Sequence, residues 1–208
     1  MSSVDCKPRA IAEKIIKSFP RYRHHKDPFR ILISTVLSQR TRDENTEIAS
    51  NRLFNVYRDA EELSKANPED LYELIKASGM YRQKSTRIVK IAKIIHNKFD
   101  NNVPNNLEDL VSLPGVGRKT ANIVLFVGFG IPAMAVDTHV HRIANRIGWV
   151  NTNKPDDTEE KLVALIPEDL WGPLNGSMVE FGKSICKPQN PLCEKCLIRH
   201  CCQYYHSL

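Results

Sequence analysis

Apolar residues recur at three- and four-residue spacings along nearly the whole chain, and no alternating run is long enough to build a sheet. That periodicity restricts the fold to packed helices, and the fold class is all-α. Residues 9–19 place Ile11, Ile15 and Phe19 four apart with Ala12 and Ile16 beside them, then stop at Pro20, which cannot continue a helix. Asp27 before Pro28 and Asn67 before Pro68 are start signals: a short polar side chain accepts from the free first-turn N–H groups, and proline has the fixed φ of the first helical position. The first leads into Phe29, Leu32, Ile33, Val36 and Leu37, the second into Leu71, Leu74 and Ile75. Residues 84–98 set Ile88, Ile91, Ala92 and Ile95 on one face and Lys84, Arg87, Lys90, Lys93 and Lys98 around the rest, which reads as a basic, solvated surface. From Ile123 to Val127 every residue is apolar, so a helix or strand there is buried nearly all round. Loops rich in Asn, Pro and Asp at 100–106 and 151–157 are where the chain is expected to change direction or domain. There is no internal repeat.

A length of 208 residues suffices for one large core or two small ones, and 41% hydrophobic with 26% charged residues excludes a disordered chain. Lys and Arg exceed Asp and Glu by six, a balance that suits an anionic partner without proving one. No stretch reaches the length of an apolar membrane span, and the N-terminus has no apolar signal core, so the expectation is a soluble, unexported protein without a membrane partner. Cys6 stands alone, while Cys186, Cys193, Cys196, Cys201 and Cys202 crowd into one terminal stretch. Such clustering argues for metal ligation over a disulfide framework, which usually ties distant segments together. Cys6 is expected to be an unliganded thiol.

Residues 113–117 read Leu-Pro-Gly-Val-Gly, followed by Arg118, Lys119, Thr120, Ala121 and Asn122. Gly115 and Gly117 allow a tight turn with outward N–H groups, while Leu113 and Val116 face inward and pin it. A helix starting at Arg118 adds its own free N–H groups, and the hairpin could hold a DNA phosphate without reading a base. Eighteen residues beyond Lys119, Asp137 stands as an N-cap. A helix from 118 to about 128 covers about 16 Å, and an extended return through the breaker Gly128–Pro132 can bring the chain back. A nucleophilic lysine must be neutral part of the time; the helix end, Arg118 and a lining of apolar side chains would favour the free amine. A nearby carboxylate favours ammonium, so Asp137 fits such a site only if it also accepts a proton or stabilises positive charge.

The run LPGVGRKTAN, followed at this distance by VDTH, resembles the helix-hairpin-helix DNA glycosylases of the endonuclease III branch. The resemblance implies a two-domain fold: a six-helix domain at residues 25–131 carrying the hairpin, and an iron–sulfur domain formed by 1–24 and 132–208, with DNA and the active site in the cleft between them. It implies a bifunctional DNA glycosylase and abasic-site lyase of base excision repair, removing oxidised pyrimidines through a Schiff base on Lys119, with Asp137 assisting proton transfer. The expected partner is double-stranded DNA with a damaged base or abasic site, bound by a monomer. The expected location is cytoplasmic and nucleoid-associated, or nuclear or organellar in a eukaryote. A mismatch-specific glycosylase and a non-catalytic, metal-stabilised DNA-binding module are the alternatives.

Cys186, Cys193, Cys196 and Cys202 stand at C-x6-C-x2-C-x5-C. By itself this soft-ligand set suits zinc or an iron–sulfur cluster alike. The resemblance implies a 4Fe–4S cluster, with Cys201 a possible rival to Cys202, and makes Lys187 and Lys195 phosphate contacts. Because a stacked base cannot be attacked, a glycosylase must open the duplex. The segment Leu37–Asp43 is similar to the family's gap-filling segment, with Gln39 or Arg40 as the entering side chain, and Met80 in Ser78–Arg82 is similar to its apolar wedge. His139 is read as a structural neighbour of Asp137, and Tyr72, Trp149 and Trp171 as core.

Overall fold

The computed structural model describes residues 5–21 and 27–208, and among them it is helical without a strand. Helix α1 is Pro8–Ser18, followed by α2 Pro28–Ser38, α3 Asp43–Val56, α4 Ala60–Ser64, α5 Tyr72–Ile75, α6 Tyr81–Phe99, α7 Leu107–Ser112 and α8 Arg118–Ile123. Then come α9 Thr138–Ile147, α10 Pro155–Leu165, α11 Trp171–Ser184 and the short α12 Gln203–His206. The chain divides into two compact units, one of residues 25–131 and one of residues 1–24 with 132–208. No described helix is long and apolar enough to cross a membrane.

Several starts follow from local chemistry. Asp27 accepts from the Phe29 N–H at 2.8 Å ahead of Pro28, and Asn67 with Asp70 forms a capping box ahead of the 3-10 turn Pro68–Leu71. In the unit of residues 25–131, Leu32, Ile33, Val36 and Leu37 of α2 are buried, as are Leu53, Ile75, Ile88, Ile91, Ile95 and Leu110. Each such side chain contributes about 1.5–3 kcal/mol by leaving water. Helix α8 runs on without a break into a π-helical turn, Val124–Gly128, where Val124, Leu125 and Val127 are buried as the apolar run required. Gly128 passes so close to Pro28 that a β-carbon would lie 3.1 Å from its Cα. In the other unit, Ile11 and Ile15 of α1 pack with Val140 and Ile143 of α9, Leu162 of α10 and Leu174, Met178 and Phe181 of α11. Tyr72, Trp149 and Trp171 are half-buried rather than fully internal.

The 100–106 and 151–157 loops, where a change of direction or of domain was expected, each lie inside one unit and connect helices of that unit. Two expectations change. Lys84 is not solvated: it is 2% exposed. It lies one turn before Ile88 on the stripe that Ile91 and Ile95 continue, so the helix carries it inward. Cys6 is not a free thiol but is bonded to Cys201, with the two Cα atoms 5.4 Å apart across 195 residues. Spacing near Cys201 could not show this, since the pairing depends on α1 packing against α11 and α9.

Candidate nucleic-acid interface and metal centre

The turn between α7 and α8 is closed by a bond from the Val116 N–H to the Leu113 carbonyl at 3.1 Å. Gly115 has φ +74°, a conformation that demands glycine, and a β-carbon there would lie 2.3 Å from the Arg87 Nε, so the guanidinium would also have to shift. Gly115 and Gly117 are exposed, as are Arg118 and Lys119 in the first turn of α8. Leu113 and Val116, by contrast, are 2% and 5% exposed. They anchor the hairpin from beneath, facing inward as expected, and are not themselves available as DNA contacts, which leaves the backbone and cations to face a ligand.

Arg87 and Lys84 on α6 tie this hairpin to two neighbouring loops. The Arg87 Nη1 donates to the Gln39 Oε1 at 2.9 Å, and the Gln39 Nε2 donates to the Gly115 carbonyl at 3.0 Å. Both ends of the Gln39 amide are thereby engaged. Its neighbour Arg40 is exposed, with left-handed φ of +54°. The buried Lys84 ammonium donates to the Leu37 carbonyl, the Thr41 Oγ1 and the Ser78 carbonyl, each at 2.7 Å. Thr41 in turn donates to the Ser78 carbonyl. Two of these acceptors are carbonyls in the last turn of a helix, where no intrahelical partner remains and the dipole favours a cation. Burial and the neighbouring Arg87 push the Lys84 amine down to about 8, so at neutral pH it still carries three protons for its three acceptors. Next to this knot Met80 is 50% exposed, again with left-handed φ, +48°. Lys84 and Arg87 were missed as functional residues, although the spacing of Lys84 from Ile88 was a readable signal.

Asp137 caps α9: its Oδ1 accepts from the His139 and Val140 N–H groups at 2.8 and 2.9 Å. His139 packs against Arg142, 3.2 Å away, and burial holds its imidazole below the usual range. Two arginines of α9, also unforeseen, shape the cysteine loop. Arg142 donates to the Cys186 carbonyl at 2.8 Å, and Arg146 to the Lys187 and Pro188 carbonyls at 2.6 and 2.9 Å. Cys186, Cys193, Cys196 and Cys202 are unpaired thiols that line one pocket with Ile143, Ile147, Phe181, Ile185 and Ile198. Among the described residues no group of three His, Cys, Asp or Glu side chains converges as a single-ion site. Burial, reinforced by the other three cysteines, raises the Cys196 thiol to about 11, and burial raises Cys202 too. Arg146, which donates to the Cys186 Sγ at 3.5 Å, and Arg199 also line the pocket, and four thiolates there need more compensating positive charge than these two supply, which suits a metal-binding thiolate set. Cys201 is removed from contention by its disulfide. Lys187 and Lys195 are exposed on the same loop.

A family model described as the HhH-GPD superfamily base excision DNA repair protein matches residues 33–168. Endonuclease III of Thermotoga maritima is 67% identical over 195 residues, 94% of this chain and 92% of that protein. Endonuclease III of Bacillus subtilis is 36% identical, over 86% and 82% of the two. Among solved structures, a trapped endonuclease III–DNA covalent intermediate matches with TM-score 0.87 and 36% identity over 94% of each chain. A thermostable thymine-DNA glycosylase matches with TM-score 0.86 and 28% identity over 95% and 96%. With its all-helical fold and a glycine hairpin presenting backbone and cations, the chain belongs to the endonuclease III family of the HhH-GPD superfamily, the base excision DNA repair proteins.

Proposed function

We propose that the chain is a bifunctional glycosylase and abasic-site lyase acting, as a nucleoid-associated cytoplasmic monomer, on oxidised pyrimidines and abasic sites in duplex DNA. The observation that carries this reading is Lys119, an exposed primary amine on the first turn after the hairpin. Gly115, Gly117 and Arg118 bind a backbone phosphate and hold the deoxyribose near it. The free Lys119 amine attacks C1′ through Nζ, the glycosidic bond breaks, the base leaves with the bonding pair and takes up a proton, and the nitrogen gives one up. The C1′–O4′ bond then opens with its pair going to O4′, which is protonated, leaving a protonated imine between C1′ and Nζ. This acidifies the C2′ proton, whose removal forms the C2′–C3′ double bond and expels the 3′ phosphate oxygen, and hydrolysis of the imine returns the amine. Asp137, with Oδ1 engaged by the cap, offers Oδ2 to accept a proton or to stabilise the positive charge developing on the sugar. Borohydride reduction during reaction with an abasic duplex tests the reading: a covalent protein–DNA adduct supports it, and no adduct from metal-loaded protein rejects it.

Asparagine caps helices as well as aspartate does, so Asp137→Asn should fold and bind DNA normally. Its turnover is expected to fall about a hundredfold, the scale of a lost proton-transfer group. Unchanged turnover in single-turnover assays would remove Asp137 from the chemistry.

Cys186, Cys193, Cys196 and Cys202 would hold a 4Fe–4S cluster. That cluster would supply a covalent cross-link for the loop carrying Lys187 and Lys195, and no step of base removal passes through it. The apolar pocket and the four unpaired thiols support this. Protein purified without oxygen is expected to show broad visible absorption and about four irons per chain; zinc without iron would reassign the site.

A further inference from the structure

Residues 183–208 carry all four unpaired thiols, yet Ile198 is the one residue among them that is buried. Ile198 joins the core formed by α1, α9 and α11. Cys202 stands beyond it and is followed by the short α12, none of whose residues is buried. Side-chain packing therefore gives this end of the loop little to hold. The residue before Cys202 is Cys201, and its bond runs to Cys6, which immediately precedes the N-cap Lys7 of α1. Ile11, Ala12 and Ile15 of that helix are buried, so the disulfide fastens the position next to the fourth thiol to a packed core. Cys6 is exposed, and a dissolved dithiol can reach the bond while the unit stays folded.

We propose that the Cys6–Cys201 disulfide is a redox latch on the metal centre: closed, it retains the cluster, and opened, it lets iron leave. The inference rests on the reading of the four thiols as cluster ligands. Opening takes two electrons and two protons. A thiolate of the external dithiol attacks one sulfur, the S–S bond breaks with its pair going to the other, and that sulfur is protonated. The second thiol of the dithiol, as its thiolate, then displaces the first cysteine, which is protonated in turn, leaving two cysteine thiols and an oxidised dithiol. Whenever the bond between Cys202 and iron breaks, a latched Cys202 stays within reach and rebinds, because its neighbour is fixed. With the latch open, residues 199–208 move about Ile198, and the effective concentration of the Cys202 thiolate at the iron falls.

Metal-loaded protein kept without oxygen is mixed with excess ferrous-iron chelator, and the decay of visible absorption is timed in three forms. These are the chain with its disulfide intact, the same chain after treatment with dithiothreitol and its removal, and Cys6→Ser/Cys201→Ser, which has neither a bond to open nor a spare thiol to compete for iron. The second and third are expected to release iron about tenfold faster than the first, and dithiothreitol should change nothing in the double variant. Amide exchange at Ile143 and Met178, both in the core, marks opening of the whole unit and should stay slower than iron release in the opened forms. Equal release from all three forms, release no faster than core exchange in the opened forms, or a dithiothreitol effect in the double variant overturns the latch while leaving the cluster reading intact. Protein that shows no iron-dependent absorption overturns both.

Discussion

Lys119→Gln is expected to give no borohydride adduct on abasic DNA and to lower strand cleavage on the order of 10⁴-fold or more, the scale on which removal of a covalent nucleophile acts. Glutamine keeps the polarity and much of the reach of lysine, but its amide nitrogen has no lone pair available to form an imine. The position is exposed in the first turn of α8, so the substitution should alter folding stability by no more than about 0.5 kcal/mol. That separation makes the result interpretable. Loss of cleavage with retained fold and retained abasic-duplex binding assigns the amine to chemistry, whereas an adduct formed by Lys119→Gln would place the nucleophile elsewhere.

The largest stability effect is expected at Lys84→Met. Methionine fills a similar volume, but it takes the lysine donor away from the buried Leu37 and Ser78 carbonyls and the half-buried Thr41 hydroxyl, and leaves the Leu37 carbonyl with no replacement for it. A buried acceptor left without a donor costs about 1–3 kcal/mol. Part of that is offset, because the variant no longer buries an ammonium, and the Ser78 carbonyl keeps its bond from Thr41. A net loss of about 2–4 kcal/mol in urea unfolding is the expected result. Faster hydrogen exchange should appear at residues 37–41 and 78–80, beyond what global destabilisation produces. An unchanged unfolding midpoint would show that the two loops hold their conformations without the lysine.

The helix starts were legible because their chemistry is local: Asp27, Asn67 and Asp137 each reach backbone N–H groups two or three residues away. The hairpin was legible for the same reason, since a positive φ at Gly115 and an anchoring Leu113 and Val116 are settled within five residues. What escaped the sequence required knowledge of distant partners. Lys84 looks like any surface lysine until the ends of two helices converge on it, although its place on the Ile88–Ile95 stripe was a hint. Gln39 and Arg40 are adjacent polar residues, and only the meeting with Arg87 and Gly115 shows which is occupied. Arg142 and Arg146 belong to the cysteine loop through its backbone carbonyls, a contact that no ligand spacing encodes.

The bond between Cys6 and Cys201 makes a closed ring of nearly all the polypeptide. A protease that severs one peptide link within that ring yields two pieces that still migrate together until a reductant separates them. Unravelling by stepwise loss of terminal turns, an ordinary route to degradation, meets a covalent stop just before α1 on one side and at Cys201 on the other.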